Sequence, residues 1–322
     1  MNGVRRPSVG VVVLNHNGRL LAERCLQSVV RAGYPTLDLI AVDNNSTDGS
    51  VAYLTERFPG ATILSSPVNL GVTGGRNLGF HEAMRRGHDY ILSLDSDARI
   101  DVSTIEELVA VAEADPRVGI LGPKTYNDDE TRTIQCVGGR ILWTENVTRE
   151  RGAGEPDRGQ YDALTDIDYI PGFAFMARGD VFAQLDALDE TFEGYGHEDT
   201  DFCLRAKQLG YRIMYVPRAV VWHKGSATIG GYSARRKYLE AVNSVLLVRR
   251  YGTAVQRLKY AVYAGLGLFY ALAVQTPRGN AGSVWAKARG LWRGLRKPLP
   301  PPPSGTREQV ARDPMIHQAE GR

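Results

Sequence analysis

The chain has 322 residues, 43% of them hydrophobic and 23% charged, enough for one large domain or two smaller ones around a substantial core. That composition excludes a chain that is disordered, collagenous or coiled coil as a whole. The net charge of +3, from 39 basic and 36 acidic residues, is too balanced to argue for a nucleic-acid partner.

An apolar run over residues 8–14, broken only by Gly10, predicts a first strand buried on both faces. The run stops at Asn15, too soon for a signal peptide with a cleavage site. Residues 19–32 carry Leu21, Cys25, Leu26 and Val29 at helical spacing, with Gly33 to cap the helix and Pro35 to prevent its continuation. Further strands are expected at 37–42, 62–65 and 90–94, and helices at 50–58 and at 77–86, the latter after a glycine-rich turn. Such alternation predicts a parallel α/β sheet, in which ligands sit at the carboxyl ends of the strands. Polar residues stand directly after four of these strands, at 15–17, 43–46, Asn69 and 95–97.

The middle of the chain is mixed. A helix is expected at 103–114, a strand at 120–122, hairpins or flexible loops over 131–168, and an apolar stretch over 169–177 around Pro171 and Gly172. A helix follows at 198–209, ended by Gly210, then a strand pair or bent strand over 211–221 containing Pro217. Residues 232–250 have the pattern of a long amphipathic helix. Residues 260–277 carry no charge, but this run is short for a spanning helix and contains Gly265 and Gly267. Residues 282–296 place Trp285, Leu291, Trp292 and Leu295 beside Lys287, Arg289, Arg293 and Arg296, the pattern of a basic interfacial helix. Peripheral association with an anionic membrane is expected over spanning, the alternative being two helices packed on the domain or a partner subunit. Pro298 and residues 300–303 open a tail expected to be disordered. Cys25, Cys136 and Cys203 are odd in number and lack metal-ligand spacing, so they read as reduced, buried thiols of a cytosolic protein.

Five polar clusters can carry chemistry. Asp95 and Asp97 leave the fourth strand at i and i+2, where their carboxylates can converge on Mg²⁺ or Mn²⁺. Alone, such a pair more often marks a polar turn. In residues 42–50, Asp43 can accept from a base N–H, while Ser46 or Asp48 can cap the next helix. In residues 69–79, Gly71, Gly74 and Gly75 would let backbone N–H groups approach a phosphate or ribose, and Arg76 could pair with a diphosphate. Their spacing is not the dinucleotide fingerprint, which excludes a dehydrogenase. In Gly194-Tyr195-Gly196-His197-Glu198-Asp199, two acids open a helix; they either complement its dipole or supply a general base. In Trp222-His223-Lys224-Gly225-Ser226, His223 becomes a metal ligand only if Asp97 lies nearby.

In this order, together with residues 11–18 and 188–192, the clusters resemble family 2 glycosyltransferases of the GT-A fold, especially a bacterial rhamnosyltransferase-like branch, over about residues 8–250. The resemblance implies an α/β GT-A domain, a mostly parallel central sheet flanked by helices, at 1–226. Its donor half would be 1–99 and its acceptor half 100–226, followed by a helical extension at 227–297 and the tail at 298–322. It implies Asp43 as the acid that reads the nucleobase, with His16 near the base and Asn15, Asn17 and Asn45 nearby. Asn69, Gly75, Arg76, Asn77, Asp95 and Ser96 would be donor contacts. Asp97 and His223 would hold the metal, Asp199 would be the catalytic base supported by Glu198, and Gly172 and Phe173 would line the acceptor side.

The implied reaction is an inverting transfer from a dTDP- or UDP-sugar to a glycan or lipid-linked acceptor in cell-envelope polysaccharide synthesis. It would run on the cytoplasmic side, with the enzyme peripheral on the inner face of the cell membrane and able to form a homo-oligomer through the C-terminal helices. Leu14 and His16 depart from the small hydroxyl residue and the Tyr of many relatives, and the resemblance carries no role over to residues 131–168. Two competing expectations are a non-catalytic nucleotide-binding module of the same fold and a sugar-phosphate nucleotidyltransferase. The second would need a Gly- and Lys-rich loop where residues 15–19 stand.

Overall fold

The computed structural model describes residues 5–129, 131–192, 194, 196–225 and 233–304. Tyr195 and Ser226 of the motifs above, Tyr232 at the expected start of the long helix, and residues 305–322 of the tail lie outside the described residues. The elements run β1 (Val9–Asn15), α1 (Arg19–Ala32), β2 (Leu37–Asp43), α2 (Ser50–Arg57), β3 (Thr62–Ser65), α3 (Gly71–Arg85), β4 (Tyr90–Asp95), β5 (Ala98–Ile100), α4 (Thr104–Ala114), β6 (Val118–Asn127), β7 (Ile134–Cys136), β8 (Gly139–Ile141), β9 (Thr148–Glu150), β10 (Thr165–Asp166), β11 (Ala174–Arg178), α5 (Gly179–Leu185), α6 (Glu198–Gln208), β12 (Arg212–His223), α7 (Ala234–Tyr251), α8 (Ala254–Gln275) and α9 (Ala281–Arg296).

The main sheet has the order β10-β12-β6-β11-β4-β1-β2-β3, with β5 paired to β12 and β7 to β6. Strands β4, β1, β2 and β3 are parallel, as the alternating pattern predicts. The sheet as a whole is mixed rather than mostly parallel, because β11 runs antiparallel to both β4 and β6. Strand β6 is also far longer than the expected 120–122. It continues through Pro123 and the buried Lys124, whose ammonium meets Asp157 at 3.0 Å. Pro217, which cannot donate to a ladder, lies where the β12 register shifts between Val216 and Val220.

Helix α1 turns Ala22, Cys25, Leu26 and Val29 into the core under β1. All three cysteines are buried and free. Helix α3 begins six residues before the expected start, so its glycines stand inside a helix rather than in a phosphate-cradling turn. Two of them, Gly75 and Gly79, are small because α3 lies close on the sheet. A Cβ on Gly75 would fall 2.6 Å from Leu14 Cδ1, and one on Gly79 would fall 2.4 Å from Val12 Cγ1. Gly79→Ala is therefore expected to cost about 1–3 kcal/mol, read as a lower denaturation midpoint at unchanged slope.

The C-terminal helices are bound to the domain by α7. Residues 241–248 of α7 are all buried, so its middle is covered on every side rather than on one face. Its outer side is covered by α9, where a Cβ on Gly290 would lie 2.4 Å from Tyr238 O and one on Gly294 would lie 2.7 Å from Val245 Cβ. Helix α8 buries only Tyr260, Ala264 and Ala271. Among the described residues no helix is long and apolar enough to cross a membrane.

Candidate active site

The carboxyl ends of β1, β2 and β4 meet at one edge of the sheet, and their loops are knitted together. Asp43 is buried, accepting from Asn15 Nδ2 at 3.2 Å and from Ser46 N–H at 2.9 Å. His16 Nδ1 lies 2.9 Å from Asn44 O. Asn17 and Asn45 both adopt left-handed backbone, and the Asn17 side chain accepts from Thr47 N–H at 2.7 Å. Asn44, which the sequence did not single out, is buried and joins three segments. It donates to Asn69 Oδ1 and Gly71 O and accepts from Leu70 N–H. Gly75 faces Leu14 and Asn44 from inside α3 and not an open surface, which corrects its expected donor contact. Asn77 is likewise spent within the protein: its amide exchanges hydrogen bonds with Leu188 and donates to Glu190 Oε1.

At the end of β4, Asp95, Asp97 and His223 each offer one ligand atom, all within 4.8 Å of one another. His223 Nε2 lies 3.1 Å from Asp97 Oδ1, and its Nδ1 lies 2.7 Å from Gln135 Oε1. An amide oxygen only accepts, so Nδ1 carries a proton and Nε2 is the nitrogen turned toward the carboxylates. Burial would raise the Asp97 carboxyl, but the bond and charge of His223 outweigh it and hold the group below its ordinary value. Two carboxylates and an oriented imidazole make a donor set that fits a divalent cation. Ser96 Oγ, between the two acids, faces Gly18 of the β1 loop.

Residues 171–173 join this group to the two acids that open α6. Phe173 stacks on the His223 ring, centroids 4.4 Å apart, and its carbonyl accepts from Asp95 N–H at 2.9 Å. Next to it, Gly172 N–H donates to Asp199 Oδ2 at 2.8 Å. Thr200 N–H holds the other Asp199 oxygen at 2.6 Å, leaving this half-buried carboxylate fixed in orientation.

Arg76 lies beneath, 4% exposed, and spans the two acid groups. Its guanidinium meets Asp95 Oδ1 at 2.6 Å and Glu198 Oε1 at 3.1 Å. It is thus committed to two carboxylates, not turned to a diphosphate as its sequence position suggested. A Cβ on Gly172 would come within 2.5 Å of Arg76 Nη1, so the glycine is what admits the arginine. Burial and the neighbouring Asp199 charge raise the Glu198 carboxyl to about 7. Arg76 offsets only part of this because Asp95 shares its charge. Asn15 Oδ1, Arg76 Nε and Glu198 Oε2 are buried without a protein partner, and so mark this region as one that takes a polar ligand.

The glycosyl transferase family 2 profile matches residues 10–182. The chain belongs to glycosyl transferase family 2. It is similar to the N-acetylglucosaminyl-diphospho-decaprenol L-rhamnosyltransferase of Mycobacterium tuberculosis, 25% identical over 245 residues that cover 68% of this chain and 77% of that one. Its fold matches GalNAc-T7, solved with UDP, GalNAc and Mn²⁺, at a TM-score of 0.63 and 17% identity, covering 92% of this chain and 59% of that one. It also matches the mannosyltransferase PcManGT of Pyrobaculum calidifontis, solved with GDP-Man and Mn²⁺, at a TM-score of 0.57 and 18% identity, covering 90% and 88%. The fold is GT-A, and the protein is a glycosyltransferase.

In this glycosyltransferase α7 braces the loop that leads into α6. Asn243 donates to Gly196 O at 2.9 Å, and Ser244 Oγ lies 3.0 Å from His197 Nε2. His197 is buried in left-handed backbone directly before Glu198 and Asp199. Arg250 pairs with Asp189 and Asp201, and Tyr251 donates to Asp201. Gln135 is a further residue that the sequence left unread, since it meets His223 across 88 positions. Gln135→Leu would free the His223 ring to rotate. A loss of about 10- to 100-fold in divalent-metal affinity is expected, measured by titrating Mn²⁺ against the protein.

Proposed function

We propose that this glycosyltransferase is a metal-dependent, inverting enzyme that moves a sugar from a nucleoside-diphosphate donor to a hydroxyl of a glycan or lipid-linked acceptor. The observation that carries the reading is the bridge through residues 171–173, which ties the Asp95–Asp97–His223 group to Asp199. Asp43, His16, Asn15, Asn17 and Asn45 form the floor for the base, and Asn69 holds the adjoining turn.

In the reaction Asp199 removes the proton from the acceptor hydroxyl, whose oxygen forms a bond to the anomeric carbon. The bond from that carbon to the diphosphate breaks, its electron pair leaving with the nucleoside diphosphate, and the configuration inverts. Asp97 and His223, with Asp95, would hold a divalent cation, which would supply the positive charge that the departing diphosphate needs. Arg76 keeps Asp95 and Glu198 in place, and Glu198 supports the base rather than replacing it.

The name of the Mycobacterium relative supports a rhamnosyl donor and a diphosphate-linked decaprenol acceptor, and with them goes our proposal of a place in cell-envelope polysaccharide synthesis on the cytoplasmic side. The test is a panel of dTDP-, UDP- and GDP-sugars with Mn²⁺ or Mg²⁺, scored for thermal shift and donor hydrolysis. dTDP-rhamnose or a UDP-sugar should raise the melting temperature only with metal present. Tight metal-dependent nucleotide binding with no hydrolysis or transfer on any acceptor would instead favour a non-catalytic module.

A further inference from the structure

We propose that α8 and α9 form a docking surface for an anionic lipid bilayer. Val255, Leu258, Val262, Leu266 and Phe269 recur at steps of three and four residues along α8, on the side away from the buried Tyr260, Ala264 and Ala271. All five are exposed, Phe269 by 72%. Helix α9 shows solvent Trp285, Trp292 and Leu295, while Gly290 and Gly294 pack on α7. So large an apolar face needs a cover.

Charge selects the cover. No acidic residue occurs between Glu240 and Glu308. Arg278, Arg289, Arg293 and Arg296 are exposed and have no carboxylate partner among the described residues. Arg296 lies over the Trp292 ring at 3.7 Å, so cations and indoles share one face. Interfacial helices carry this combination, with apolar residues set among the acyl chains, Trp at the headgroups and cations on anionic phosphates. A second copy of the same acid-free surface would bring like charges together, which argues against self-association there. The inference is independent of the donor and the transfer chemistry.

The experiment is flotation of the full chain with vesicles of phosphatidylcholine alone or mixed with phosphatidylglycerol, at low and high salt. Binding to the mixed vesicles is expected to exceed binding to phosphatidylcholine by about tenfold or more and to weaken with salt. Leu266→Glu with Phe269→Glu should remove binding to both. Arg289→Glu with Arg293→Glu should remove only the preference for the anionic lipid. Melting temperature and donor hydrolysis should stay at the parent values in both variants, which separates this test from that of the transfer reading. Should the first pair misfold, the arginine pair alone decides. Failure to float with anionic vesicles, or unchanged binding by a folded variant pair, overturns the proposal. So does a dimer in solution that Leu266→Glu with Phe269→Glu dissolves, since the face would then be covered by a second copy.

Discussion

Replacing Asp199 by Asn is expected to lower transfer by roughly 10²–10⁴-fold, the range over which a positioned general base contributes. The substitution keeps size and shape but removes the group that accepts the acceptor's proton. In either orientation the new amide sets an NH₂ against a backbone donor, Gly172 N–H or Thr200 N–H, so a modest stability loss of about 1–3 kcal/mol should accompany it. Donor affinity in the presence of Mn²⁺ should hold, because the Asp199 carboxylate is held by Gly172 N–H and Thr200 N–H and is not one of the three groups that converge at the end of β4. Calorimetric titration of donor beside a transfer assay separates the two effects. Transfer at the parent rate would sink the assignment of Asp199 as base.

Arg76→Met should be the most destabilising change in the site, at about 3–5 kcal/mol, because it leaves Asp95 and Glu198 without the cation between them. Its pH dependence has a defined sign. Glu198 titrates at about 7 in the folded protein against an ordinary value of 4.5, so the folded state holds the extra proton between those values. Stability from this group is therefore lost as pH rises through that window. Without Arg76 the carboxyl should rise further, and the deficit should widen only as pH passes the parent's folded value, from about pH 6 toward 9. Thermal melts across that range check it; a deficit independent of pH would mean that the arginine acts by packing alone.

The parallel half of the fold was legible because its strands are buried on both faces and its helices keep a clear apolar stripe. Helix α1 and strand β3 fall where the residues alone place them. The three-residue β5 and the seven-residue α5, less than two helical turns, are too short to show the period of their type. The N-terminal half of α3 was hidden for another reason: Gly71, Gly74 and Gly75 weaken the helical signal locally, and for Gly75 the approach of Leu14 is the reason. Likewise Lys124 reads as a loop residue until Asp157 is brought to it from 33 positions away.

In the site, the sequence order of acids, asparagines and histidine supplied the membership. The division of labour was not legible. Arg76 looks like a phosphate ligand until burial shows it bridging two carboxylates, and Gln135 has no motif at all. Residues 171–173 read only as an apolar turn around Pro171-Gly172, yet their backbone and one ring connect both reactive groups.

The brace from Asn243, Ser244 and Arg250 to the loop before Asp199 bears on where this chain can be cut or recombined. By sequence it divides near residue 226, but the support for the reactive carboxylate comes from beyond that point. A catalytic core transplanted without α7 would carry every motif residue and lack the strut that aims one of them. In this chain the portable part is thus not the motif-bearing stretch alone but that stretch together with the helix behind it. A chimera should work only when α7 travels with its own loop.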